Sequence, residues 1–87
     1  IQNVTTNEYF DENSSYNLLW NDVAYGGYEV KIYDYYGDDF SDRIYSPVTS
    51  PFTIKFPSVS SNQQARIQVK SLETGKTSSV AIYIRNL

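Results

Sequence analysis

The sequence predicts an all-β protein, a seven-stranded antiparallel β-sandwich, for three reasons. Apolar and polar residues alternate in short runs, most clearly in Tyr28–Asp34, where Tyr28, Val30 and Ile32 share one face. Clusters of Gly, Pro, Asn and Ser separate these runs and mark turns. No helical period of useful length occurs anywhere in the sequence. Short strands joined by turns, with one row of each strand facing inward, are typical of two packed sheets.

Seven segments are predicted to be strands because their side chains alternate in this way. In chain order they are the residues around Ile1 and Val4, then Tyr16–Trp20, Tyr28–Asp34, Arg43–Tyr45, Phe52–Phe56, Ala65–Ser71 and Val80–Arg85. Arg43–Tyr45 is expected to be a short edge strand. Pro47 and Pro51 follow it, and a proline cannot donate a hydrogen bond within a central ladder.

The segments between these strands are predicted to be loops. They are Asn7–Asn13, Asn21–Gly27, Tyr35–Asp42, Ser46–Pro51, Pro57–Gln64 and the hairpin loop Glu73–Lys76. Asn7–Asn13 is expected to be a polar connection in which Tyr9 and Phe10 cover one end of the core. Gly26 and Gly27 can adopt positive φ, which tight turns often require.

The predicted core centres on Ser15–Asp34, which contains the single tryptophan of the chain. Its inward row is Tyr16, Leu18, Trp20, Tyr28, Val30 and Ile32. A chain of 87 residues buries only about 60–65% of its unfolded surface, so its core is thin and large side chains must fill it. The nine tyrosines, four phenylalanines and one tryptophan can do so.

Composition also limits the functions that we expect. The chain has no cysteine and no histidine, so it lacks thiolates, disulfides, the commonest general base and the commonest zinc ligand. We therefore expect no enzyme activity, no cofactor and no metal. The net charge is −3 and no Lys/Arg cluster occurs, which disfavours nucleic-acid binding. No apolar run approaches the roughly 20 residues that cross a bilayer, so no membrane insertion is expected.

Several short motifs are spread along the chain: Leu18-x-Trp20, Tyr28-x-Val30-x-Ile32, Ile67-x-Val69, Gly75-x-x-Ser78, and Val59 six residues before position 65. In their order and spacing, over nearly the whole length of the chain, the sequence resembles a fibronectin type III domain. The resemblance implies an immunoglobulin-like β-sandwich. One position departs from the pattern, because Ala65 stands where the family has its corner tyrosine. Another immunoglobulin-like sandwich is therefore the alternative, and the loop before Ala65 must be held by other means.

The resemblance also implies a role. Residues 1–87 are expected to form a single module of a larger multidomain protein, since the chain has no initial methionine and no signal peptide. Such modules space or orient neighbouring catalytic or adhesive domains of a secreted or cell-surface protein, and as isolated modules they are monomeric. The richness in Asn, Tyr, Ser and Ile suggests a bacterial source.

Aromatic residues in two loops are the candidate ligand or partner contacts. They are Tyr25, Tyr35, Tyr36 and Phe40, and Tyr33 and Tyr83 are also expected to face outward. Exposed aromatic rings can stack on sugars or anchor a protein partner, which makes a carbohydrate- or protein-binding module the alternative function. The simpler interpretation is that these rings cap the edges of the sandwich.

The charged side chains lead to two more hypotheses, a calcium site and two cross-strand ion pairs. Asp34, Asp38, Asp39 and Asp42 lie in one acidic segment, and carboxylates are calcium ligands. The EF-hand spacing is absent, so a solvated turn is the favoured interpretation. The sequence also predicts that Arg66 and Arg85 pair across strands with Glu29 or Glu73.

Overall fold

The computed structural model contains seven strands and describes residues 1–23, 25–34, 36 and 39–87, with the backbone alone at 39–42. The strands are β1 (Glu8–Asp11), β2 (Ser15–Leu18), β3 (Tyr28–Asp34), β4 (Asp39–Val48), β5 (Phe52–Lys55), β6 (Gln63–Ser71) and β7 (Thr77–Arg85). The predicted all-β class and the number of strands are confirmed. Within the described ranges, no helix is long and apolar enough to cross a membrane.

The strands form two sheets, and one of them is mixed. The five-stranded sheet has the order β1-β7-β6-β3-β4, and β2 pairs with β5 in the second sheet. All pairs are antiparallel except β1 and β7, which run parallel with Phe10 opposite Ile84. The prediction of an entirely antiparallel architecture was therefore wrong for this pair. The chain starts beside the end of β2, where the Gln2 amide donates to the Leu19 carbonyl at 2.8 Å, and then continues to the edge of β7.

The first strand lies where the sequence predicted a connection, and the residues around Ile1 and Val4, predicted to be the first strand, form none. Residues Glu8–Asp11 form β1 instead of the middle of a polar loop, and Asn7 and Asn13 flank it with φ values of 64° and 60°. Asparagine tolerates this left-handed region better than most residues. Phe10 is buried, as expected, whereas Tyr9 is 52% exposed. Only one large apolar side chain of β1 faces the core, so the alternation was too short to recognise.

The fourth strand is also longer than predicted, ten residues instead of the three of Arg43–Tyr45. It lies at the edge of its sheet, where Pro47 is tolerated because its missing N–H is not needed by an inner neighbour. The register along β3 shifts between Tyr28 and Val30, since their partners on β4 are Val48 and Tyr45. Proline and this irregularity concealed the strand in the sequence.

One hydrophobic cluster is built from both sheets, and Trp20 belongs to it with 5% exposure. Aromatic pairs link the sheets at three places: Phe10–Phe56 with ring centroids 4.6 Å apart, Tyr45–Phe52 at 5.1 Å, and Trp20–Tyr28 at 5.6 Å. The predicted inward row is confirmed as buried except for Tyr16, which is only half-buried. The Tyr16 hydroxyl donates to the Asn3 carbonyl, which accounts for its position at the margin.

Two side chains hold the loop that precedes β6. The Glu12 carboxylate accepts hydrogen bonds from the amides of Val59 (2.9 Å) and Leu87 (3.1 Å). The Asn86 side-chain amide donates to the Val59 carbonyl at 2.7 Å. The Val59 and Leu87 amides stabilise the charged carboxylate and so lower the pKa of Glu12. Ala65, near the start of β6, is fully buried and has no hydroxyl that could bond to this loop. The hydrogen bonds of Glu12 and Asn86 hold the loop instead.

Candidate functional site

The predicted contact residues are only partly within the described structure. Tyr25 and Tyr36 are each 86% exposed, in agreement with the expectation that they face solvent. Tyr35 and the side chain of Phe40 lie outside the described residues. Tyr25 precedes β3 and Tyr36 follows it, and a seven-residue strand is about 20 Å long. The structure therefore places the two described tyrosines at opposite ends of β3 and does not bring them together.

The acidic segment is described at only one of its carboxylates. Asp34 Oδ1 accepts a hydrogen bond from the Tyr36 amide at 2.9 Å, which closes a local turn. Asp38 and the side chains of Asp39 and Asp42 lie outside the described residues. Within the described residues, no group of three or more acidic, His or Cys side chains could hold a metal ion. Calcium binding by this segment stays a hypothesis.

A cavity of about 450 Å³ opens between the β2–β3 loop and the β6–β7 hairpin. Trp20 and Tyr28 form part of its lining, but they are only 5% and 6% exposed. The Tyr28 hydroxyl accepts from the Val23 amide at 3.0 Å and donates to the Asn21 carbonyl at 3.3 Å. Little ring surface and no spare hydroxyl are thus presented to the cavity, so these two rings form a wall instead of a stacking platform.

The outward side chains of the five-stranded sheet form a second candidate, which we call the outer face. The register places Tyr9 of β1 opposite Tyr83 of β7, and Arg66 of β6 between Ala81 of β7 and Tyr33 of β3. At the β4 edge, Ile44 lies opposite Lys31 and is 43% exposed. Aromatic, apolar and cationic groups therefore share one continuous surface.

The tyrosine rings of the outer face are held by neighbouring side chains. Tyr9 and Tyr83 stack with their centroids 4.9 Å apart and their planes 15° from parallel. The guanidinium carbon of Arg85 lies 5.7 Å from the Tyr9 centroid, and Arg85 Nε donates to Asp11 at 2.8 Å. Lys31 Nζ lies 5.5 Å from the Tyr33 centroid. Such cation–π and stacking contacts each contribute about 0.5–1 kcal/mol at exposed sites, so the rings are ordered before any partner arrives.

Arg66 differs from Arg85 and Lys31 in its contacts. Its side chain is exposed, and the described part of the chain offers it no hydrogen bond or ion pair. The predicted pairing of Arg66 and Arg85 with Glu29 or Glu73 is wrong. The register sets Glu29 opposite Lys70, and the Glu73 carboxylate accepts from the Tyr25 amide at 3.1 Å. Arg85 pairs with Asp11 because the parallel strand β1, which the sequence did not predict, lies beside β7.

The outward side of the other sheet is chemically different. Its strands β2 and β5 expose small or singly charged side chains: Ser15, Asn17, Thr53 and Lys55. No aromatic residue occurs in that set. Protein interfaces favour Tyr, Arg and large apolar residues. The outer face carries all three kinds, and the outward side of the second sheet carries none of them among its exposed strand residues.

Comparison with known proteins adds no relative. No family model matches the chain, and no curated protein or solved structure matches it either. The outer face thus rests on its own geometry. Outward Tyr33 and Tyr83 were visible in the sequence, whereas Tyr9 was assigned to a loop and Arg66 to an ion pair.

Proposed function

We propose that this chain is a non-catalytic immunoglobulin-like module, of the fibronectin type III kind, in a larger extracellular or cell-surface protein. Its outer face would pack against a protein surface, in the first place a neighbouring domain of the same polypeptide, and so set the orientation of that domain. The observation that carries the proposal is the concentration of Tyr9, Tyr83, Tyr33, Arg66 and Ile44 on one sheet, with small polar residues on the other.

The strand arrangement supports the assignment of the fold. Strands β7, β6, β3 and β4 form one sheet while β2 and β5 form the other, and both contribute to one core. Apart from β1, which joins the edge of the larger sheet, this division resembles the one expected of an immunoglobulin-like sandwich and so supports the proposal. The parallel β1–β7 pair and the Glu12–Asn86 tie differ from the fibronectin pattern with its corner tyrosine. They favour a variant member of this architecture or the related sandwich that the sequence left as an alternative.

The energetics of the outer face support protein contact. Tyrosine and arginine are enriched among residues that dominate binding energy, because they bury large areas and still form hydrogen bonds. Immobilising a flexible side chain on binding costs about 0.5–1.5 kcal/mol. Tyr9 and Tyr83 are already stacked, so much of that cost has been met within the free domain.

A second candidate function is binding through the loop aromatics. Tyr25 and Tyr36 are each 86% exposed, and an exposed ring can stack on a sugar. Because they lie at opposite ends of β3, they could not share one sugar, and each would have to act with other residues of its own loop. Glycan binding would therefore occur at one end of the domain, and the outer face would not take part.

Site-specific photocrosslinking distinguishes these functions. A photoreactive phenylalanine analogue replaces Tyr83, and in separate samples Tyr36 or Thr53, in the protein produced by its own source. We expect position 83 to crosslink to one protein surface that peptide mapping identifies, while position 53, on the polar sheet, gives no such product. Equal yields at positions 83 and 53 would contradict the proposal. A glycan adduct confined to position 36 would favour the loop alternative.

A further inference from the structure

We propose that Arg66 is the charged anchor of the outer face and that it receives a carboxylate from an acidic protein segment. This inference rests on the proposed function, because it names the chemistry of the partner that covers the same surface. It does not depend on whether the partner belongs to the same polypeptide or to another chain.

The first argument is the position of Arg66. It lies on β6, the central strand of the order β1-β7-β6-β3-β4, so a partner covering the face must cover this residue. Tyr33 is its neighbour across one strand pair and Ala81 across the other, and Tyr83 is a diagonal neighbour. The exposed guanidinium has no ion pair within the described structure. Burial of an uncompensated charge is strongly unfavourable, so a well-bound partner must bring an anion to this point.

The second argument concerns the kind of anion. A guanidinium is planar and presents parallel N–H groups that match both oxygens of a carboxylate. A uronic acid would also carry this group, but polysaccharides gain much of their affinity by stacking sugar rings on aromatic faces. Tyr83 and Arg85 already contact the Tyr9 ring, and Lys31 contacts that of Tyr33. The exposed apolar side chain of Ile44 at the edge suits a protein segment in which an apolar residue accompanies the carboxylate.

The third argument is charge. The outward rows of β1, β7, β6 and β3 hold four cations and two carboxylates: Lys31, Arg66, Lys70 and Arg85 against Asp11 and Glu29. The chain as a whole has a net charge of −3. Cations therefore outnumber carboxylates on these four strands of a chain that is acidic overall, although Lys31 has a further interaction and the register of β4 sets Asp39 opposite Tyr33. An acidic segment would be attracted to the surroundings of Arg66, which raises its association rate at low salt.

The test measures binding of a random copolymer of glutamate and tyrosine to the 87-residue chain by NMR titration at low salt. We expect the amide signals of β6, β7 and β3 to shift around Arg66, Tyr83 and Tyr33. Arg66→Gln should weaken binding at least about tenfold, as for an arginine at the centre of a contact. Arg66→Lys, which retains the charge without the planar fork, should be intermediate. Lys55→Gln removes one cation from the other sheet and should have no effect.

Three results would overturn the inference. They are binding of polygalacturonate as tightly as of the acidic copolymer, equal affinities of Arg66→Gln and the parent chain, and no detectable binding of the copolymer. A fourth such result is dimerisation of the free chain in sedimentation at high concentration, if the dimer forms through the outer face. The surface would then be covered by a second copy of the chain and not by an acidic segment. Photocrosslinking separates the two proposals. If position 83 crosslinks to a protein and still does so in Arg66→Gln, the role of Arg66 is refuted but the proposed function is not. If position 83 gives no protein crosslink even with Arg66 present, the proposed function is refuted.

Discussion

Replacing Trp20 by alanine tests how much the shared core depends on one side chain. Trp20 follows β2, is 5% exposed, and meets Tyr28 edge-on with a centroid distance of 5.6 Å. A tryptophan buries up to about 250 Å², which at about 25 cal/mol per Å² corresponds to about 6 kcal/mol of transfer free energy. Truncation of Phe or Trp to Ala is observed to cost about 3–5 kcal/mol.

Two features of the site favour the lower end of that range. The cavity of about 450 Å³ adjoins Trp20, so water can enter the space that the ring leaves. In addition, Trp20 Nε1 is buried and has no hydrogen-bond partner in the described structure, so truncation also removes an unfavourable group. We therefore expect Trp20→Ala to lower the free energy of unfolding by about 3 kcal/mol. A chain of this length has a total of about 4–13 kcal/mol, so the variant should be close to its limit of stability.

Urea titration followed by far-UV circular dichroism measures this loss without needing tryptophan fluorescence. Trp20→Phe is the control, because it retains an aromatic ring against Tyr28 and removes the buried N–H. Trp20→Phe should lower the free energy of unfolding by no more than about half as much as Trp20→Ala does. A loss below about 1 kcal/mol in Trp20→Ala, with a cooperative transition, would contradict the core placement of Trp20. Equal losses in both variants would contradict the unpartnered state of Nε1.

Two further predictions concern the backbone and the Glu12 tie. Gly27 and Gly75 both have positive φ, 79° and 76°, but a Cβ at Gly27 would lie 3.2 Å from Pro47 Cβ, whereas Gly75 has open space. Gly27→Ala should therefore lower the stability more than Gly75→Ala, for which about 1 kcal/mol of backbone strain is expected. Thermal unfolding of the two variants measures the difference. Equal losses of stability would contradict the close approach of Gly27 to Pro47. The lowered pKa of Glu12 means that its contribution to stability is complete above its ordinary value of 4.5 and is lost as pH falls through the lower folded value. Glu12→Gln should thus be less stable than the parent chain at pH 6 and differ from it much less at pH 3 in urea titrations; a constant difference would refute this role.

The sequence predicted the parts of the fold that local alternation determines. The row Tyr28, Val30 and Ile32 is buried in β3, as its period of two required. The strand β1 was missed because a four-residue segment with one inward aromatic has no readable period. Its pairing with β7, more than 70 residues later in the chain, is decided by tertiary packing and leaves no local signal.

The candidate site was less predictable than the core because strand order and register, which assemble it, are decided by tertiary packing. Exposure of Tyr25 and Tyr36 followed from their loops, but their distance from each other followed from the length of β3. Tyr33 and Arg66 become neighbours only through the register of β3 on β6. A face composed of five strands is a property of strand order, which a pattern read one segment at a time does not contain.

The strand that the sequence missed is also the one that completes the outer face. Without β1, Tyr83 would lie on an edge strand with one side of its ring uncovered, and Arg85 would lack Asp11. With β1 in place, Arg85 is neutralised locally and contacts Tyr9, while Arg66, one strand further in, has no ion pair among the residues that the structure describes. The parallel pairing therefore does more than extend the sheet. Because this pairing gives Arg85 a carboxylate and leaves the central Arg66 without one among the described residues, the acidic partner is assigned to Arg66 and not to Arg85.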